Sequence, residues 1–239
     1  MNFINQLLSA LLFFKNHFSI LLNLCLPLII IEVVASLGIV NLGINETMSN
    51  DLVIETIQPV AFPLLILSLL SLILTMAFYG AMMLTFKGID ENIDFNIFNI
   101  YWASIKKFFP LLWSTMLASI AWAVGLILLI LPGFYLFGRL GMYPAYIMFE
   151  NKGAIESLSN AWNASDQEGA RLFFLTTIFL GSQFLLGLII GGLFITNAVV
   201  FIVVAALKYF TYVMLFYLYY TLYKSCLLYT SPSPRDRSL

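Results

Sequence analysis

The stretch Phe108–Phe149, "FFPLLWSTMLASIAWAVGLILLILPGFYLFGRLGMYPAYIMF", carries one charged residue, Arg139, and is too long for a single passage through a bilayer. As one continuous helix it would extend about 63 Å at about 1.5 Å per residue, twice a hydrocarbon core of about 30 Å. Within it, "LPGF" at Leu131–Phe134 sets Pro beside Gly, where a tight reversal is expected. The segment therefore reads as two crossings, about 110–131 and 134–149.

Working outward, the same reading finds four more crossings. Residues 18–40 carry Glu32 as their one charge, and residues 59–86 carry no charge at all. Residues 172–207 are also uncharged, and the apolar run continues past Lys208 to Tyr223. A break near "GGLFITN" (Gly191–Asn197) divides this run into crossings at about 172–193 and 198–223. The expected fold is all-α: a polytopic bundle of six transmembrane helices over residues 1–225, with amphipathic interface helices on the cytoplasmic side.

Composition agrees. Hydrophobic residues are 62% of 239 and charged residues only 10%, too few to build a solvated globular surface. The formal net charge of −1 gives no reason to expect nucleic acid as a partner. Two cysteines, Cys25 and Cys226, supply neither a disulfide framework nor metal spacing. No short apolar segment ending in a cleavage site opens the chain, so a cleaved signal peptide is not expected.

Sidedness follows from where the cations fall. Lys15, Lys87, Lys106, Lys107, Lys152, Arg171 and Lys224 all lie on one set of connections, and the opposite set has none. That places both termini in the cytoplasm. The "NET" sequon at Asn45–Thr47 then falls on the far side, where a three-residue pattern carries little weight. Each pair of crossings is preceded by a stretch with helical apolar spacing: residues 3–15, "NIFNIYWASIKK" and "GAIESLSNAW". Each enters the membrane through a basic-then-aromatic step, "KNHF", "KKFF" and "RLFF". Interface chemistry alone produces that pattern, and a threefold repeat of one unit is the alternative.

Three ionisable residues lie inside crossings: Glu32, Arg139 and Lys208. Each is costly in lipid unless paired. Counted from the cytoplasmic ends, Glu32 and Lys208 both sit roughly 21–25 Å deep at about 1.5 Å per residue, so an ion pair between the first and last crossings is expected. Arg139, about five residues below the outer turn, would snorkel or compete for Glu32. A packing pair is the simpler reading, and a midplane relay or substrate site is the sharper one. Gly138, Gly141, Gly181, Gly187, Gly191 and Gly192 read as places of close helix approach.

Chemistry is hard to find. His17 has no neighbouring carboxylate or thiol with which to make a triad or a metal site. The carboxylates of "DENID" (Asp90–Asp94) lack a helically spaced partner beyond the pair Asp90 and Asp94, and capping of the next helix accounts for Asp94. No phosphate-cradling "GxxxxGK" loop is present. No catalytic, cofactor-binding or metal-binding residue is assigned, and no cofactor is expected.

The run Leu129–Trp162, "LILPGFYLFGRLGMYPAYIMFENKGAIESLSNAW", resembles the signature of the YciC-like family of bacterial inner-membrane proteins, with Pro132, Gly133, Lys152, Gly153, Ala154 and Trp162 at the matching places. A more distant similarity is to membrane domains attached to glycerophosphodiester phosphodiesterases. The resemblance implies a six-span inner-membrane protein of uncharacterised function, without catalytic residues to carry over. It also bears on the polar tail. "CLLYTSPSPRD" (Cys226–Asp236) equals one reading frame of a transposase adapter used in shotgun sequencing, so 226–239 is expected to be adapter read-through rather than native sequence. Three functions remain, in order of preference. The first is a non-enzymatic envelope or membrane accessory, or a scaffold meeting the bilayer and other membrane proteins. The second is a transporter of a small molecule or lipid, which requires a polar cavity around Glu32, Arg139 and Lys208. The third is an enzyme acting on lipid headgroups, which requires Asp90, Glu91 and Asp94 to converge with another polar group.

Overall fold

A computed structural model describes residues 3–44, 48–192 and 198–230, and these are helical with no strand among them. The helices are α1 (Phe3–Asn16), α2 (Phe18–Asn41), α3 (Asn50–Ile57), α4 (Ala61–Asp90), α5 (Ile97–Ile105), α6 (Phe108–Leu128), α7 (Ile130–Leu140), α8 (Tyr143–Glu150), α9 (Ala154–Ala164), α10 (Gly169–Gly192) and α11 (Ala198–Thr230). The sequon at Asn45–Thr47, the centre of the "GGLFITN" break and residues 231–239 lie outside the described residues.

Five helical segments are long and apolar enough to cross a membrane: those centred on α2, α4, α6, α10 and α11. Their outer faces present Leu65, Leu69, Ile120, Ile127 and Leu185 with half or more of each side chain uncovered. A continuous apolar surface of this kind suits a membrane. The segment read as the fourth crossing, 134–149, is divided between α7 and α8, of 11 and 8 residues, which meet at Gly141 and Met142.

The reversal before α7 is not at the Pro–Gly pair. It falls on Leu129, whose extended backbone (φ −164°, ψ 145°) separates α6 from α7. Pro132 instead lies in the first turn of α7, where a missing N–H leaves no hydrogen bond unmade. Gly133 lets α7 close onto α6. A Cβ on Gly125 would stand 2.8 Å from the Gly133 Cα, a separation no side chain permits. The pair thus serves packing one turn beyond the bend.

The short helices alternate with the long ones in a repeating order. α1 precedes α2, α5 precedes α6 and α9 precedes α10, each pair followed by a returning segment. The first two basic–aromatic steps coincide with helix breaks at His17 and Lys107, whose backbones leave the helical region. The third lies inside the start of α10, and the break there falls earlier, at Ser165–Glu168. α5 is capped by Asn96, whose Oδ1 accepts from the Phe98 N–H at 2.8 Å, rather than by Asp94.

α2, α4 and α11 share one core, filled by Leu21, Leu24, Leu28, Met82, Met83 and Phe86. α1 joins it through Phe13, stacked on Tyr217 at 3.9 Å. α5 joins it through Tyr101, whose hydroxyl donates to the Leu24 carbonyl at 2.6 Å. α7 and α8 bring the second half of the bundle against α10, α4 and α9.

Candidate polar sites inside the bundle

The first site joins α2 to α11. Lys208 Nζ donates to both carboxylate oxygens of Glu32, each at 2.9 Å. Neither group is sealed in: the side chains are 35% and 28% exposed. They border a cavity of about 360 Å³ between α2, α4 and α11, whose remaining polar lining is Ser36, Ser71, Thr75, Tyr79, Tyr209 and Tyr212. From α10, the Gln183 side-chain amide donates to the Lys208 carbonyl at 3.4 Å. The ammonium also stands 5.4 Å from the Tyr209 ring centre, a favourable cation–π separation. Two opposite charges with unfilled space and hydroxyls around them can exchange partners with an incoming polar group. A close-packed pair cannot.

Arg139 is not in that site. It lies near the end of α7 and turns to the corner between α9 and α10, where its side chain is 4% exposed. Nε donates to Ser165 Oγ at 3.0 Å, Nη1 to the Tyr135 hydroxyl at 3.2 Å, and Nη2 to both the Trp162 carbonyl and Asp166 Oδ1. The guanidinium carbon lies 3.7 Å from the Trp162 ring centre. The planar fork suits this arrangement, since one guanidinium can satisfy several acceptors in fixed directions while stacking on an indole. Arg139 therefore neither snorkels nor competes for Glu32, because the corner supplies acceptors for every face of its fork.

The residues of the family-like pattern divide by position. Pro132 and Gly133 shape the α6–α7 hairpin. Asn151, left-handed at φ 54°, ends α8. Lys152 then pairs with Glu156, and Gly153 caps α9 through its carbonyl, which accepts from the Ser157 N–H at 2.9 Å. The Ala154 carbonyl accepts from Ser114 Oγ on α6 at 3.3 Å. Trp162 is the platform under Arg139.

The "DENID" carboxylates meet different partners. Asp90 accepts from the Tyr220 hydroxyl at 2.9 Å and from Lys224 Nζ at 2.7 Å. Glu91 faces Lys87 at 3.9 Å along α4. Among the described residues no group of three or more His, Cys, Asp or Glu could hold a metal ion. A wider cleft of about 770 Å³ opens beside the α9–α10 corner, with Ser225 and Cys226 in its wall.

Of the glycines, Gly138 and Gly141 sit at close approaches, to Leu172 and Thr176 and to the Tyr219 ring respectively. Among the described residues nothing lies within 4 Å of where a Cβ on Gly181 or Gly187 would stand, so they mark no helix contact there. The sequence reading passed over the uncharged polar groups of the long helices, among them Thr115, hydrogen-bonded to the Tyr143 hydroxyl at 2.7 Å, and Thr176, at 3.2 Å from that of Tyr219. Their signal was a hydroxyl-bearing residue recurring on α4, α6 and α11, diluted by the many tyrosines of the chain. Comparison of the chain with family models, curated proteins and solved structures returns no match.

Proposed function

We propose that this chain is a six-crossing integral protein of a bacterial inner membrane, with both termini cytoplasmic, which binds or carries a small molecule or lipid headgroup in the Glu32–Lys208 cavity and catalyses no reaction. The observation that carries the reading is the cavity itself. A pair that served only to choose helix neighbours would need no space of about 360 Å³ and no ring of hydroxyls around it. In this reading α7 and α8 traverse together as the fourth crossing along the chain, which brings the total to six; their 21 positions from 130 to 150 extend about 31 Å, the thickness of a hydrocarbon core. The basic residues gathered on one set of connections support the cytoplasmic termini, and the resemblance of Leu129–Trp162 to the YciC-like family supports six crossings of an inner membrane.

A membrane accessory or scaffold is the second reading. It is favoured by the α5 surface, where Phe98 and Trp102 are 72% and 55% exposed. Aqueous access to the cavity separates the two. In a background with Cys25→Ala and Cys226→Ser, cysteines placed one at a time at Ser36 and Ser71 are expected to react with a hydrophilic maleimide in open membranes. A cysteine at the outward-facing Leu69 is expected not to react. Equal inertness at all three positions would mean a dry bundle and would leave the scaffold reading standing.

A further inference from the structure

A second cavity, of about 190 Å³, lies between α4, α6, α7, α10 and α11. It shares two lining residues with the first, Tyr79 and Tyr212. Tyr79 is pinned, its ring stacked on Phe216 with centroids 5.1 Å apart and planes within 14°. Tyr212 meets Tyr209 in a looser tilted contact at 6.4 Å. The two cavities are thus neighbouring chambers with a wall of two phenol rings, one of them fixed and one less constrained.

The chambers differ in chemistry. The first holds a carboxylate and an ammonium. The second is bordered by the rings of Trp122, Phe137, Phe216 and Tyr219, with Ser119 and the mutually bonded hydroxyls of Thr115 and Tyr143 also on its wall, and the buried Trp122 indole N–H meets no acceptor among the described residues. An indole N–H without an oxygen or nitrogen acceptor can be met by the π face of an aromatic ring. The volume suits one ring: an apolar cavity of about 150 Å³ takes up benzene.

We infer that the two chambers form one binding site for a small aromatic zwitterion, its ring in the Trp122 chamber and its charged groups exchanging with Glu32 and Lys208. This rests on the reading of the Glu32–Lys208 cavity as a ligand site. The charge argument selects the zwitterion. A cationic ligand paired with Glu32 strands the Lys208 ammonium, and an anion paired with Lys208 strands the Glu32 carboxylate. A ligand carrying both charges leaves neither unpaired. Tyr212 is the movable partition.

The test uses the full chain in nanodiscs of phosphatidylglycerol with radiolabelled L-phenylalanine as probe. Saturable binding is expected, with L-alanine and phenethylamine each competing at least tenfold more weakly. Ala118→Leu, which narrows the Trp122 chamber, is expected to bring phenylalanine down to the level of alanine while alanine is unchanged. If phenylalanine and alanine bind equally well in the unaltered protein, the second chamber is not part of the site, although the first still is. If nanodiscs containing phosphatidylethanolamine abolish phenylalanine binding, the zwitterion belongs to a lipid headgroup and the aromatic class is wrong. If no zwitterion binds while the cysteines at 36 and 71 still react with maleimide, the inference fails and the hydrated cavity stands. If those cysteines are inert, the underlying reading itself has failed.

Discussion

Two cations lie within the apolar bundle, and the protein treats them in opposite ways. Arg139 is wrapped on every side, with four acceptors, an indole beneath it and 4% of its side chain exposed. Lys208 has one strong partner, the Glu32 carboxylate, and stands a third exposed beside an unfilled cavity. A charge whose acceptors are mostly backbone and hydroxyl groups fixes structure, because no single exchange of partners releases it. A charge held by one carboxylate at the edge of a space is poised for exchange. The locked cation belongs to architecture, and the open one is the centre of the proposed ligand site.

The largest effect that could break this contrast is at the locked end. Arg139→Met takes the guanidinium donors from Ser165 Oγ and the Tyr135 hydroxyl and leaves the Trp162 carbonyl with Ser165 Oγ at 3.0 Å as its remaining side-chain donor. A loss of about 3 kcal/mol is expected, on the scale for removing one member of a buried polar network. Thermal unfolding in detergent would read it as a large fall in midpoint or as failure to accumulate. A midpoint close to that of the unaltered protein would remove Arg139 from the architecture.

Next in size is Gly141→Ala, on the same side of the molecule. The added Cβ would stand 2.2 Å from Tyr219 Cζ, so α7 or the ring must move, at a cost of about 1–3 kcal/mol. The fully buried Tyr219 also borders the Trp122 chamber. A drop in phenylalanine binding should therefore accompany the drop in stability. Lost stability with intact binding would show that the two halves of the bundle are less coupled than this packing implies.

At the open site the expected effects are smaller and of a different kind. Glu32→Gln and Lys208→Met each leave one charge unpaired but partly hydrated, costing about 1–2 kcal/mol. The double variant should recover part of that loss and so reveal a coupling of about 1 kcal/mol in a double-mutant cycle. Additive losses would mean that the pair contributes no mutual stabilisation.

The contrast was only half legible in the sequence. Glu32 and Lys208 could be brought together because depth in a membrane is countable from the ends of an uncharged run, and two opposite charges at one depth suggest a pair. Arg139 could not be placed. Its partners are a main-chain carbonyl, two hydroxyls and a loop carboxylate, and nothing in the letters "NAWNASD" says that this corner turns toward α7. The Pro–Gly pair misled for a related reason. Pro in the first turn of a helix and Pro in a reversal look alike in sequence, and only the backbone at Leu129 distinguishes them. The cavity's Ser and Thr hydroxyls went unread because Ser and Thr in apolar helices usually bond within their own helix, as Thr211 does with the Leu207 carbonyl at 2.7 Å, and its tyrosines because the chain carries so many of them.

The smallest effect is the sharpest test. Among the described residues Asp166 is the only carboxylate on Arg139, and a view of Arg139 as half of an ion pair would expect its removal to be severe. Yet the Asp166 side chain is 78% exposed. An exposed partner contributes at most about 1 kcal/mol, because water serves nearly as well. The Trp162 carbonyl, Ser165 and Tyr135 remain in place for the other guanidinium donors. Asp166→Asn keeps a side-chain oxygen for Nη2 and should shift the unfolding midpoint far less than either single change at the open site. Should Asp166→Asn match Arg139→Met in severity, the corner would depend on charge pairing after all. The two cations would then differ only in exposure, and the division between a locked site and an exchanging one would fail.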